Sequence, residues 1–277
     1  MSSLELSTPV FSILSTLLQE KVGLSYTLAE RELLQDKVGS RAMELGYESL
    51  LDYYYFLRYD PAGEEELAQL VEHLVVNETY FFREWPAIQV MVNHYIAPLC
   101  AAGKRPKIWC AACSTGEEPI SIAMLLAEKN LLDKVEIIAS DISENALKKA
   151  KAGKFGRRAV RHVPDQNLKD KFISQDGDHH FVPTTLIDAI QWRRTNILDK
   201  NDYPKNGPFD AILCRNMLIY FNDETVKIVL DNLYSELNPD GVFLVGISES
   251  LLRFGSGFVG EERDGSFVYK KALNHEH

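Results

Sequence analysis

The chain has 277 residues, 45% of them hydrophobic and 25% charged, with a formal charge of −10. This length suggests one large or two modest domains, and the ordinary mix of apolar and charged residues excludes disordered and collagen-like chains. The longest apolar runs (residues 120–127, for example) fall short of the ~20 needed to span a bilayer, four cysteines are too few for a disulfide scaffold, and the acidic balance argues against a general nucleic-acid binder. The first 76 residues read as helices only. Phe11, Leu14, Leu17 and Leu18 recur at three- and four-residue steps, as do Leu33, Leu34, Val38 and Ala42. Gly23, Gly46 and Asp60-Pro61-Ala62-Gly63 punctuate them, and residues 67–76 resume the helical period. Glu64-Glu65-Glu66 suits a helix N-terminus, and Tyr53-Tyr54-Tyr55-Phe56 reads as packing between domains. Residues 1–75 carry five Lys/Arg against thirteen Asp/Glu, a net of −8. Residues 77–86 break the helical pattern with polar and aromatic side chains, and 90–99 look helical again.

From Lys107 the pattern changes. Residues 108–112 read as a buried strand, followed by the small polar loop Cys113-Ser114-Thr115-Gly116 and a helix over 117–129 with Pro119 in its first turn. Residues 135–139 form the next strand, ending at Ser140-Asp141, and 144–152 the next helix, whose Lys148-Lys149-Ala150-Lys151 reads as a solvated face. Further strands are expected at 189–193 and 209–214, then a helix over 223–237. Pro239-Asp240-Gly241 turns the chain into a strand over 242–246, and 266–270 supplies the last one. Such alternation gives a doubly wound, mostly parallel sheet. Residues 153–188 interrupt it with a long polar stretch, read as an inserted subdomain of short antiparallel strands with a helix; His179-His180 is expected there in a solvated loop.

Ligands of such sheets bind beyond the carboxyl ends of the strands. Three segments converge there: the loop over 111–116, Asp141 at the end of the second strand, and Arg215-Asn216 at the end of the fourth. This arrangement suits a nucleoside, carried either by a dinucleotide or by S-adenosylmethionine. A dinucleotide site uses G-x-G-x-x-G, whereas this loop has one glycine followed by two glutamates, which suit a cationic ligand better than a pyrophosphate. A plain helix cap with exposed glutamates explains the loop equally well on its own. Cys110-Ala111-Ala112-Cys113 has C-x-x-C spacing, but no second pair completes a zinc site, so small-residue packing is expected and no metal.

Four blocks make the sequence resemble the CheR-type methyltransferases, which esterify glutamates of bacterial chemoreceptors. They are Asn77-Glu78-Thr79-Tyr80-Phe81-Phe82-Arg83-Glu84, Ser114-Thr115-Gly116-Glu117-Glu118-Pro119, Ser140-Asp141-Ile142 and Cys214-Arg215-Asn216-Met217-Leu218-Ile219-Tyr220-Phe221. The resemblance runs over nearly the whole chain, including Ser248-Glu249. It implies a helical domain over 1–76 and a linker over 77–94 that carries cofactor and active-site residues. A class I S-adenosylmethionine-dependent methyltransferase domain follows over 95–277, with a seven-stranded, mostly parallel sheet and an inserted β-subdomain at 154–188. It further implies that Asn77, Thr79, Arg83, Glu118, Asp141, Asn196, Ile197, Arg215 and Asn216 contact S-adenosylmethionine, and that Arg83 and Tyr220 lie beside the transferring methyl group. The implied products are glutamate 5-O-methyl esters and S-adenosylhomocysteine. The implied partners are cytoplasmic helices of chemoreceptors and, in some members, a receptor C-terminal peptide docked on the β-subdomain, here near residues 175–180. No nucleic acid and no membrane insertion are expected, and the absence of a basic-then-apolar opening points to a cytoplasmic protein.

One departure bears on the substrate. Several family members present basic residues of the N-terminal domain to an acidic receptor helix, whereas a domain at −8 should slow that encounter. Lys37, Arg41 and Arg58 are the place where a local basic patch could form. The other readings are a methyltransferase or cofactor-binding adaptor acting on another protein, and a nicotinamide oxidoreductase, against which the missing glycines count.

Overall fold

A computed structural model describes residues 4–271. The chain forms two compact units: the part up to Val76 together with Tyr220–Thr225, and Asn77–Ile219 together with the part from Val226 onward.

The smaller unit is helical, with α1 (Thr8–Val22), α2 (Arg31–Glu44), α3 (Leu50–Tyr59) and α4 (Gly63–Leu74). Gly23 ends α1 in a left-handed conformation, its N–H donating to the Gln19 carbonyl, and the Ser49 hydroxyl caps α3 by accepting the Leu51 and Asp52 N–H groups. Phe11, Leu14, Leu18, Leu34, Val38, Tyr53 and Leu70 build its core. Leu33, expected in that stripe, is 50% exposed, because the buried face of α2 runs through Leu34, Val38 and Ala42 instead. Tyr53 packs inside this unit and Tyr55 is exposed, so the aromatic run is not one continuous contact. Tyr220–Thr225, expected within the methyltransferase domain, belong here: the Ser25 N–H donates to the Tyr220 carbonyl at 3.0 Å, and Phe221 lies where a Cβ on Gly23 would stand 2.7 Å from its ring.

The larger unit opens with α5 (Trp85–Met91) and α6 (Ala97–Ala101), joined by one π-helical turn over Val92–Ile96. It continues through β1 (Lys107–Ala111), α7 (Glu117–Glu128), β2 (Glu136–Asp141), α8 (Glu144–Ala152), β3 (Lys154–Gly156), α9 (Gln166–Phe172), β4 (Ser174–Asp176), β5 (His179–Phe181), α10 (Thr184–Asp188) and β6 (Ile190–Arg194). The last elements are β7 (Phe209–Cys214), α11 (Asp223–Glu236), which starts in the smaller unit, β8 (Leu237–Leu244), β9 (Phe258–Arg263) and β10 (Ser266–Lys271). The sheet order is β6-β2-β1-β7-β8-β10-β9, with the first five strands parallel and β10 antiparallel to both neighbours. β1 lies in the middle, and its residues Ile108 to Ala111 are buried, as a strand covered on both faces requires. The order in which strands are laid down reverses at β1, with β2 and β6 on one side and β7 and β8 on the other, which puts the ends of β1, β2 and β7 at the crevice where ligands of such sheets bind.

Three details differ from the sequence reading. Within the stretch 77–94, expected as a linker, Phe81, Phe82, Trp85, Ile88 and Met91 are buried in the core of the larger unit. The turn at Pro239-Asp240-Gly241 lies within β8, where the pairing jumps from Phe209↔Leu237 to Ala211↔Val242. His179-His180 is not a solvated loop but strand β5, which pairs with β3 and β4 in a small antiparallel sheet. Adjacent strand residues face opposite ways, so His179 is exposed and His180 buried, where desolvation lowers its pKa.

Candidate active site

The loop between β1 and α7 winds tightly, with left-handed backbone at Ala112, Ser114 and Gly116. Asp141, at the end of β2, holds it. One carboxylate oxygen accepts the Ser114 N–H at 2.7 Å and the other accepts the Ser143 N–H at 2.9 Å, so one buried side chain ties the ends of two neighbouring strands. Gly116 has φ +90°, and a Cβ there would stand 2.6 Å from the Ala150 Cβ and 2.8 Å from the Trp192 ring. The loop's single glycine therefore serves close packing of loop against α8 and β6, not approach to a phosphate.

Two acids follow at the start of α7. Glu117 is buried, and desolvation raises its pKa against the hydrogen bond from the Thr115 hydroxyl at 2.7 Å. Glu118 instead meets Arg215, which ends β7. Arg215 donates from Nη1 to Glu118 Oε2 at 2.7 Å and from Nη2 to Glu84 Oε2 at 2.9 Å and to the Arg83 carbonyl at 2.8 Å. Burial opposes the charge of this guanidinium, and the two carboxylates more than offset it, so its pKa stands above the ordinary arginine value. Among the described residues its Nε has no hydrogen-bond partner.

Glu84 and Glu249 complete the frame. Glu84 adopts a left-handed conformation ahead of α5, and its carboxylate also accepts the Ile247 N–H at 3.1 Å and the Asn216 side-chain amide at 3.3 Å. Burial would raise its pKa, but Arg215 and these donors hold it below the usual glutamate range. Asn216 is itself left-handed, and its N–H donates to Glu249 Oε2 at 2.7 Å, as does the Gly246 N–H. Glu249 is buried, and desolvation raises its pKa. Neither glutamate stands out by spacing; the signal for Glu84 was its place at the end of the Asn77–Glu84 block, and for Glu249 the Ser248-Glu249 pair.

The segment from Asn77 to Arg83 is laced across this site. Ser114 donates its hydroxyl to Asn77 Oδ1 at 3.2 Å, the Phe82 N–H donates to Ser121 Oγ at 3.0 Å, and the Phe81 N–H donates to the Ala159 carbonyl at 2.8 Å. Arg83 donates to the Glu78 carbonyl and lies 5.7 Å from the Tyr80 ring centroid. Asn196 and Ile197 form the turn after β6, where Asn196 Oδ1 accepts the Leu198 N–H and the Ile197 carbonyl accepts the Tyr203 hydroxyl. The Thr195 N–H, one residue earlier, donates to the Asp141 carbonyl. Thr79 is half-buried within the same segment as Asn77 and Arg83. Bonds of one network thus join Asn77, Asp141 and the β1–α7 loop, and those of a second join Glu118, Arg215, Asn216 and Arg83. Tyr220 lies in the 3-10 turn Leu218–Tyr220 and is part of the smaller unit. Cys110 and Cys113 are buried, and desolvation pushes both thiols far above their usual pKa, as the packing role requires. Among the described residues no group of three or more His, Cys, Asp or Glu is placed to hold a metal ion.

Residues 77–259 match the family model described as the CheR methyltransferase S-adenosylmethionine-binding domain, and residues 9–75 match that of the CheR methyltransferase all-alpha domain. The chain is 34% identical over 258 residues to chemotaxis protein methyltransferase 2 of Vibrio cholerae serotype O1, a match covering 91% of this chain and 89% of that one. It is 31% identical over 257 residues to the chemotaxis protein methyltransferase of Escherichia coli K12, covering 89% and 86%.

Proposed function

The chain belongs to the CheR methyltransferase family, and on that premise we propose that it methylates specific glutamate side chains of chemoreceptors, yielding glutamate 5-O-methyl esters and S-adenosylhomocysteine. The observation that carries this reading is the charge of the crevice. Arg215 is neutralised by Glu84 and Glu118, and Asp141 adds a carboxylate at the neighbouring strand end. Such a site favours a cation over a pyrophosphate. The donor set fits S-adenosylmethionine: Asp141 places a carboxylate at the end of β2, where ribose hydroxyls can donate, and Glu118 has an oxygen outside its ion pair for an ammonium. Asn77, Thr79, Asn196 and Asn216 supply further polar lining, and Ile197 an apolar side chain.

When bound, S-adenosylmethionine supplies an electrophilic methyl group on a positively charged sulfur. The protein's part is to align and to dry. A glutamate side chain, with a pKa of about 4.3, is already ionised at neutral pH, so no general base is required. Water stabilises the separated charges of nucleophile and sulfonium more than the transition state, in which both charges fade, so a closed site lowers the barrier. Arg83 orients the incoming carboxylate or the cofactor, and Tyr220 contributes a neutral donor and an aromatic face.

The substrate segments are taken to be cytoplasmic receptor helices, which places the enzyme in the cytoplasm; among the described residues no helix is long and apolar enough to cross a membrane. The inserted sheet supports a second contact. Its order β3-β5-β4 leaves one edge of β4 unpaired, a template on which an extended receptor C-terminal peptide can add as a strand.

The test is transfer of tritiated methyl to the cytoplasmic fragment of a chemoreceptor from the same genome, with base-labile release as methanol identifying the ester. Arg83→Ala should abolish transfer. Wild-type chain that binds NAD in calorimetry but not S-adenosylhomocysteine, or that labels no receptor, would overturn the reading.

A further inference from the structure

The smaller unit is acidic, and Lys37, Arg41 and Arg58 are engaged within it. Arg41 pairs with Glu66 and Glu44, Arg58 pairs with Glu20, and the Lys37 ammonium donates to the Leu74 carbonyl at 2.8 Å. The two arginines of the patch that Lys37, Arg41 and Arg58 could have formed are therefore matched by carboxylates, and Lys37 is held on a carbonyl, so no cluster of three free cations forms there. The missing positive charge lies elsewhere in the sequence. From Lys148 to His162 the chain carries Lys148, Lys149, Lys151, Lys154, Arg157, Arg158 and Arg161 with no aspartate or glutamate. Part of this has a local cause, since Lys149 and Lys151 occupy the last turn of α8, where the helix dipole favours cations. The arginines have no such cause. They belong to the 3-10 turn Arg157–Val160 and the residue after it.

This turn is bonded to the active-site segment, because the Ala159 carbonyl accepts the Phe81 N–H. Arg161 lies over the Tyr80 ring at 4.3 Å and pairs with Glu78, while Arg83 reaches the same ring. Glu78 is held below the usual glutamate range first by the hydrogen bond from Arg161 and further by the nearby charges of Arg83 and Arg158. One glutamate therefore faces three arginines, leaving this surface positive. Arg157 is neutralised by Asp178 of the β4–β5 turn. Arg158 is exposed, and among the described residues its side chain has no ion pair or hydrogen bond.

We propose that the arginine turn centred on Arg158, and not the N-terminal helical unit, draws in the acidic, glutamate-rich segment of the substrate protein and feeds it to the site beside Arg83. The inference rests on the glutamate methyltransferase reading above and adds the docking surface to it. The physical ground is complementarity: a positive surface continuous with the reaction site raises the local concentration of an anionic helix there, and an acidic domain whose arginines are paired internally does not.

The direct test is fluorescence anisotropy of a fluorescein-labelled, glutamate-rich helical peptide on the full chain at low salt. Arg158→Glu should weaken binding about tenfold, Arg158→Lys should restore it, and the gap should shrink as salt rises. The double variant Lys37→Glu/Arg58→Glu should leave binding unchanged. Calorimetry with S-adenosylhomocysteine and the far-UV spectrum, both unaltered in Arg158→Glu, establish that the fold and cofactor site are intact. In receptor methylation the same change should raise KM by a similar factor with kcat kept. Equal peptide binding by Arg158→Glu, or an equal loss in the double variant, overturns the inference. So does preference of the chain for phosphatidylglycerol vesicles over the peptide, because the turn would then be a membrane contact. If wild-type protein labels no receptor, the methyltransferase reading fails instead, and the peptide arm still decides the docking surface.

Discussion

Arg215 ties the proposed cofactor site to the stability of the fold. Its charge is buried and viable only because Glu84 and Glu118 flank it. Arg215→Ala should cost about 3–5 kcal/mol in urea unfolding, the range for breaking a buried ion pair, because two glutamates lose their counter-charge together. Glu84 and Glu249 respond to pH in opposite directions. The folded pKa of Glu84 is depressed, so its contribution is present above the unfolded pKa and is lost as pH falls through the folded one. The folded pKa of Glu249 is raised, so the native state holds its proton more tightly and stability falls as pH rises from the unfolded pKa to the folded one. Glu249→Gln keeps an oxygen for the Asn216 and Gly246 N–H groups but removes the charge. Denaturation across mildly acidic to neutral pH should show that fall abolished in the variant; an unchanged slope would mean that Glu249 is not its source. Of these residues, Arg215 and Glu118 were legible in the sequence as parts of motifs, but their partnership was not, since they are far apart in the chain.

Elements were read best where local rules suffice. The helix over Glu144–Ala152 and the strand over Phe209–Cys214 appear with the expected ends, because a Ser143 cap, Gly153 and a run of apolar residues mark them. β9 was missed: it alternates weakly, carries Gly260, Glu261 and Glu262, and is recognisable only from its pairing with β10. Close approach is equally invisible locally. A Cβ on Gly63 would stand 2.4 Å from the Phe56 carbonyl oxygen, where α3 turns into α4. Gly63→Ala should destabilise the helical unit, seen as a lower first transition in far-UV melting. Gly116→Ala, with φ +90° and two side chains in its way, should disturb the β1–α7 loop enough to weaken S-adenosylhomocysteine binding at least tenfold in calorimetry.

Each unit has a hydrophobic core of its own, which sets how the molecule as a whole should unfold. All three tryptophans, Trp85, Trp109 and Trp192, are in the larger unit. Tryptophan fluorescence should therefore follow only that unit, whereas far-UV circular dichroism follows both. S-adenosylhomocysteine at a hundred times its Kd should stabilise the fluorescence transition by about 2.7 kcal/mol. Under the same conditions the helical unit should gain little, as read by the part of the dichroism change that fluorescence does not report. A single coincident transition would show that the two units melt together.

By itself the sequence determined the order of elements, the helical beginning, the alternating strands and helices, and the four blocks that mark the family, because hydrophobic period, caps and motif spacing are local properties of the chain. Tertiary structure alone decided that Phe81, Phe82, Trp85, Ile88 and Met91 enter the core of the larger unit, that Tyr220–Thr225 return to the helical unit, and that Lys37, Arg41 and Arg58 are engaged by neighbouring acids and a carbonyl. It also decided that Glu84 and Glu118 share one arginine. Such facts depend on which distant residues meet, and charge and burial acquire their values only from those meetings.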